Sequence, residues 1–181
     1  MSEDRIQQQI EEVLTQFPIC EYSFGDVARI PFSEKVRYIC ENECERYGNC
    51  WACPPYCGEV PELTEKCRRY QRYCLFSTVT ETEDAWSKEA CLKVKHQHED
   101  ITRQIRNELK EQFKEMEFLV LSTGCTLCEH CSCPDAPCRH PKERLSSMES
   151  HGIVVIKMAE EAGICYNYGD NTVVYMSIIL Y

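Results

Sequence analysis

The sequence predicts an α+β domain with a small mixed β-sheet, a long crossover helix, two cysteine-rich loops and a C-terminal hairpin. Helical and β-rich segments follow one another along 181 residues, a length that suits a single domain over residues 1–181. The chain has 15 cysteines, about 8% of its residues, and ten of them fall into the two loops. Because few other apolar residues are present, we expect bonds to sulfur to help to stabilise the fold.

The N-terminal half is predicted to contain two helices and a strand around the first cysteine-rich loop. Apolar residues recur at helical spacing over residues 3–17, which predicts an amphipathic helix. An extended segment around 27–32 leads into the first loop, 40–58, where glycine and proline oppose regular structure. Pro61 opens a short helix, and residues 74–80 are rich in β-formers and therefore predict a strand.

The C-terminal half is predicted to continue with a long helix and a second strand at 118–122. Strand, helix and strand in this order predict a right-handed crossover that leaves the two strands parallel. The second cysteine-rich loop, 124–141, follows directly. Residues 153–162 favour a helix, because a glycine stands where the helix would end. Segments 164–168 and 172–180 flank a Gly-Asp-Asn turn and predict a hairpin.

Composition and charge narrow the classes of protein and partner. The first residues are acidic and amide-rich, unlike a secretion signal, and no apolar run approaches the roughly 20 residues of a membrane span. We therefore expect a cytoplasmic location without membrane contact, where thiols stay reduced and metal coordination is favoured over disulfides. The net charge of −10 repels phosphate backbones, so no nucleic acid partner is expected.

The second cysteine-rich loop carries the most specific pattern in the chain. Its first three cysteines follow Cys-x2-Cys-x2-Cys spacing, and two more lie close behind. Such intervals can direct thiolates at several irons of one cluster, as in ferredoxin loops, whereas structural zinc sites more often use two separated pairs of ligands. The spacing therefore favours a 4Fe–4S cluster on Cys125, Cys128, Cys131 and Cys138, with zinc as the alternative.

The first cysteine-rich loop is less regular and matches no single template. Its cysteines are Cys40, Cys44, Cys50, Cys53 and Cys57. The proline pair after Cys53 stiffens the backbone, which suits a rigidly held ligand. Zinc, an iron–sulfur cluster and thiols that bind no metal all remain open here. The other five cysteines lie in helical or strand patterns and are interpreted as core thiols: Cys20, Cys67, Cys74, Cys91 and Cys165.

Two stretches resemble a family of predicted metal-binding proteins that is widespread among anaerobic bacteria and archaea. They are YICENECERYGNCWACPPY and GCTLCEHCSCPDAPCRHPKERLSSMESHGI, and the resemblance extends over about residues 27–180. The metal ligands that it implies are Cys40, Cys44, Cys53, Cys125, Cys128, Cys131 and Cys138. Three loop cysteines lie outside this pattern: Cys50, Cys57 and Cys133. The resemblance implies metal but no particular reaction.

Together these residues predict a metal-binding protein with one or two 4Fe–4S clusters, for electron transfer or substrate chemistry. Four thiolates would saturate the cluster of the second loop, whereas three would leave one iron of the first open unless Cys57 or Cys50 completes it. An open iron could polarise a bound substrate. The expected partner is a redox protein or a small-molecule substrate. The alternative function is a zinc-stabilised structural or interaction protein.

Overall fold

Four strands form an antiparallel sheet in the order β1-β2-β4-β3 in the computed structural model, which describes residues 3–181. The strands are β1 (Glu21–Asp26), β2 (Arg72–Glu81), β3 (Leu119–Leu121) and β4 (Thr172–Leu180). The helices are α1 (Glu3–Leu14), α2 (Val36–Glu43), α3 (Val60–Arg68), α4 (Lys88–Gln112) and α5 (Val155–Ala162). This architecture confirms the predicted α+β class. Across residues 3–181, no helix is both long and apolar enough to cross a membrane.

The long helix α4 connects β2 to β3, as the predicted strand–helix–strand order requires. Both strands pair antiparallel with β4, so they run parallel to each other. They are not neighbours, however, because β4 lies between them. The crossover prediction is thus correct in strand direction, but the sheet that results is antiparallel instead of mixed.

The predicted C-terminal hairpin is wrong. Residues 164–168 form no strand, and β4 pairs with β2 along its whole length and with β3 at its end. The last part of β4, from Met176 to Leu180, is buried. An apolar strand of this kind is best accommodated at the centre of a sheet, where both of its edges and both of its faces are covered. Burial therefore outweighs the local turn signal.

Two further details differ from the sequence prediction. Helix α1 ends at Leu14 instead of continuing to residue 17, and Cys40 lies on α2 instead of in a loop. Among the five cysteines outside the loops, Cys67 and Cys74 are buried as expected. The other three are exposed or half-buried: Cys20, Cys91 and Cys165.

The sheet separates two apolar cores, because successive side chains of a strand point to opposite faces. Leu75 of β2 packs in one core with residues of α3 and α5. Its neighbour Phe76 packs in the other core with residues of α1 and α4. Both side chains are fully buried. Strand β2 is therefore covered on both faces, and the cysteine-rich segments lie outside these two cores.

A buried polar network connects α4 to the sheet. The imidazole of His98 hydrogen-bonds with Thr78 Oγ1 through Nδ1 at 2.8 Å and with Ser177 Oγ through Nε2 at 2.7 Å. Ser177 Oγ in turn donates to Ser122 Oγ at 2.6 Å, next to the end of β3. Burial lowers the pKa of His98 from 6.5 to about 4, so the ring is neutral in the folded chain at physiological pH.

Acid should destabilise the fold between about pH 6.5 and pH 4 because of His98. The unfolded chain takes up a proton on this residue near pH 6.5, whereas the folded chain does not until about pH 4. Stability therefore falls as the pH falls through this window, by about 3 kcal/mol at its lower end. Urea unfolding at several pH values measures the loss. The variant His98→Gln should lose less stability than the wild type over the same range, and an equal loss would contradict the assignment.

Candidate metal centre

The two cysteine-rich segments, about 70 residues apart in sequence, meet in space. Cys50 and Cys53 of the first segment are buried together and pack against Cys125 and Cys131 of the second. Trp51 links the same two segments, because its indole Nε1 donates a hydrogen bond to the carbonyl of Ala136 at 2.9 Å. The long-range folding of the chain thus converts two local cysteine patterns into one sulfur-rich region.

One cavity is lined by the four cysteines that the spacing predicts as ligands: Cys125, Cys128, Cys131 and Cys138. We call it the thiol cavity. Cys50 lines it as a fifth cysteine, from the first segment. The cavity has room for about one water molecule. A larger group would require the side chains that line the cavity to move apart.

Arginine side chains surround the thiol cavity. Arg46, Arg139 and Arg144 all contribute to its lining. Arg144 Nη1 donates to the carbonyl of Trp51 at 3.1 Å, and Arg139 donates to the carbonyl of His130. A protein with a net charge of −10 therefore concentrates positive charge around its cysteines. Nearby cations stabilise thiolates and offset the negative charge of any thiolate-bound metal group.

Three thiols lie together at the junction of the two segments: Cys50, Cys53 and Cys125. The interaction with its two neighbours holds the pKa of the Cys50 thiol well below its usual range. The same interaction, together with burial, raises the pKa values of Cys53 and Cys125. Cys50 is therefore the thiol of this group that most readily becomes a thiolate, which is the form that binds metal.

The other cysteines of the first segment form an adjoining group. Cys40 and Cys44 are four residues apart at the end of α2, which places them on the same side of the helix. Burial first, and then repulsion from Cys44 and other nearby acidic groups including Cys57, raises the pKa of Cys40. Cys53 interacts electrostatically with both Cys44 and Cys50. Cys44 is thus within electrostatic reach of both Cys40 and Cys53, and Cys53 packs against Cys125 and Cys131, which line the thiol cavity.

Within residues 3–181, no three or more cysteine, histidine, aspartate or glutamate side chains are already arranged to hold a single metal ion. A structural zinc site requires four donors about 2.3 Å from one centre when the ligands are thiolates. Thiolates that hold an iron–sulfur cube each bind a different iron and stand around its core instead. The chemistry of the donors suits both groups, since thiolates prefer zinc and iron–sulfur clusters over harder cations.

Helix α4 holds the start of the second cysteine segment through two buried charged residues. The carboxylate of Glu99 accepts hydrogen bonds from the backbone N–H of Thr123 at 2.9 Å and from its hydroxyl at 2.7 Å. Arg103 Nη1 lies 3.6 Å from Glu99 Oε2, and Arg103 Nη2 donates a hydrogen bond to Thr126 Oγ1 at 3.5 Å. These contacts flank Cys125 on both sides. The position of this cysteine is therefore determined by α4 as well as by its own loop.

Sequence reasoning did not single out Glu99 or Arg103 as site residues, and it considered Cys50 only as an alternative ligand of the first loop. Charged residues four apart on a helix usually lie on a solvated face, so Glu99 and Arg103 gave no distinctive signal. Cys50 lies outside the ligand pattern that the family resemblance implies, yet it stands at the junction of the two segments. Its proximity to Cys53 in sequence was the available signal, and only the fold shows that Cys125 is its other neighbour.

The comparisons with known proteins are consistent with the sulfur-rich region. No curated protein and no solved structure matches the chain. Residues 26–181 match the family described as "Predicted metal-binding protein (DUF2284)". The matched range includes every cysteine of both segments and the whole of β2, β3 and β4, but only the last residue of β1. The chain therefore belongs to this family of predicted metal-binding proteins.

Proposed function

We propose that this protein is an iron–sulfur protein with a 4Fe–4S cluster in the thiol cavity, on Cys125, Cys128, Cys131 and Cys138. The observation that carries the proposal is that the fold places all four cysteines of the ferredoxin-like spacing around one cavity. The arginines around that cavity support it, because a cluster held by four thiolates carries negative charge that nearby cations stabilise.

We propose a second cluster on Cys40, Cys44 and Cys53. Three thiolates would leave one iron without a protein ligand, and Cys57 lies within electrostatic reach of Cys40 as a further thiol of this segment. Because Cys53 also interacts with Cys50 at the thiol cavity, the two sites would be adjacent. Adjacent sites favour the passage of single electrons between them. The pair would thus connect a redox partner protein with a small-molecule substrate at the first site.

The residues around the thiol cavity would adjust the reduction potential. Hydrogen bonds to sulfur and exclusion of water are the main means by which a protein sets that potential. Cys50 lines the thiol cavity beside Cys125, so its sulfur would lie next to the cluster. Trp51 also lines the cavity, and its ring packs against that of Tyr56 with the centroids 5.1 Å apart and the planes tilted by 60°. When bound, the cluster would supply one-electron redox chemistry, and Trp51 would help to shield its sulfurs from solvent.

Elemental analysis of the protein purified without oxygen tests the proposal. We expect a brown protein with about four iron and four sulfide ions per chain if only the thiol cavity is loaded, and about eight of each if both sites are. Zinc in place of iron, with no acid-labile sulfide, would contradict the proposal and favour the zinc-stabilised structural protein. Parallel measurement of iron, zinc and sulfide on one sample separates these outcomes.

A further inference from the structure

A second cavity, separate from the thiol cavity, lies between α4, β4 and the segment that follows β3. Its volume is about 210 Å³, below the range of about 300–1,000 Å³ that is typical of drug-sized ligands. Two charged residues of opposite sign line it, Lys95 from α4 and Glu149 from a short 3-10 helix, and we call it the Lys95–Glu149 cavity. Its size suits a small metabolite.

The two charges that face this cavity are not paired with each other. Within the described part of the chain, the ammonium of Lys95 forms no salt bridge, and the six ion pairs involve other residues. Lys95 Nζ lies 3.8 Å from the point that a Cβ on Gly124 would occupy, so it lies against the backbone beside Cys125. Burial raises the pKa of the Glu149 carboxyl. Lys95 thus supplies a cation without a salt-bridge partner among the described residues, and Glu149 supplies a partly desolvated carboxylate. Together they are complementary to a ligand that carries both charges.

The rest of the wall is partly apolar, and Ser122, Thr123 and Tyr175 add polar groups to it. Val174 and Met176 of β4 contribute aliphatic and thioether surface, together with Val155 and Met148. Tyr166 contributes a ring, and the backbone segment at Thr123 closes one side. Most ligand pockets combine such apolar walls with a few polar groups that orient the ligand. The apolar part would accommodate a hydrocarbon or thioether side chain.

We propose that the Lys95–Glu149 cavity binds a free α-amino acid with an apolar side chain, its carboxylate on Lys95 and its ammonium on Glu149. Glu149 also lies within electrostatic reach of Cys40, and Lys95 within reach of Cys53. A bound amino acid would therefore lie beside the first cysteine segment, where a small-molecule substrate is expected. The binding site itself does not depend on which metal the thiols hold.

Equilibrium dialysis of radiolabelled leucine and methionine against the metal-loaded protein tests this proposal. We expect saturable binding of at least one of them. Lys95→Met and Glu149→Gln should each weaken it by about tenfold or more, as expected when a hydrogen-bonded charge is removed. Two exposed residues supply matched controls, Lys93→Met on the same helix and Glu160→Gln on α5, and both should bind like the wild type. No saturable binding of either amino acid would overturn the proposal.

Competition on the wild-type protein keeps the test independent of the variants. The compound 4-methylpentanoate lacks the ammonium of leucine, and 3-methylbutylamine lacks its carboxylate. Both should compete with labelled leucine at least tenfold more weakly than unlabelled leucine does. Equal competition by 4-methylpentanoate would overturn the zwitterion assignment and indicate a simple anion site. Iron and sulfide are measured on the same samples, so a failure of the metal proposal is distinguished from a failure of this one.

Discussion

Replacement of Cys128 by alanine should lower the iron and sulfide content by about four of each per chain. Cys128 is the central cysteine of the Cys-x2-Cys-x2-Cys run and lines the thiol cavity with the other three proposed ligands. Without its thiolate, one iron of the cube loses its protein ligand and the cluster is no longer held on all sides. Elemental analysis and visible absorption of the anaerobically purified variant measure the loss.

Cys165→Ala is the matched control for this substitution. Cys165 is also a free cysteine, but it is exposed and lies outside both cysteine-rich segments. Its variant should keep the full content of iron and sulfide. Unchanged iron in the Cys128 variant, or an equal loss in the Cys165 variant, would contradict the placement of a cluster in the thiol cavity. Comparison of the two also corrects for general losses of iron during purification.

Replacement of Glu99 by alanine should lower the free energy of unfolding by about 3 kcal/mol. The side chain of Glu99 is fully buried, and its loss leaves the N–H and hydroxyl of Thr123 without an acceptor. It also removes one of the two carboxylates that face the buried guanidinium of Arg103. We expect less than the largest effects known for broken buried ion pairs, because Asp100 still pairs with Arg103. Urea unfolding at neutral pH measures the change.

Asp100→Ala provides the control for the Glu99 variant. Asp100 pairs with the same arginine, but 65% of its side chain is exposed, so its removal should cost less than about 1 kcal/mol. The Glu99 variant should also bind metal less well, because the backbone before Cys125 loses its support from α4. If Glu99→Ala unfolds within about 0.5 kcal/mol of the wild type, this support is not significant.

Local sequence patterns were sufficient to predict most helices and strands of this chain. The helix at Val155–Ala162 ends at Gly163, which adopts a left-handed conformation with φ of 70°. A side chain is disfavoured in that region, so the glycine was a reliable signal of the helix end. The strand around Leu75 was equally clear, because β-branched and aromatic residues are concentrated there. Both features depend only on residues that are close together in the sequence, so the sequence is enough to predict them.

The order of the strands in the sheet could not be predicted from local sequence patterns. The segment after Ile164 and the strand at Thr172–Leu180 have the composition of a hairpin, but the strand pairs with β2 and β3, which are distant in sequence. Pairing over such distances is selected by the apolar surface that it buries on both faces of the sheet. That surface is contributed by α1, α4, α3 and α5 together, so no local window contains the information.

The cysteine spacing by itself determined the class of this protein, because ligand intervals of two residues are a local property that only a few kinds of metal site require. The order of residues along the chain was therefore enough to predict Cys125, Cys128, Cys131 and Cys138 as a set, and the four line one cavity in the structure. Only the tertiary structure decided that Cys50 joins this set, that Glu99 supports it, and that Lys95 faces a separate cavity. The reason is physical: burial and charge pairing arise between segments that come together only when the sheet and α4 assemble.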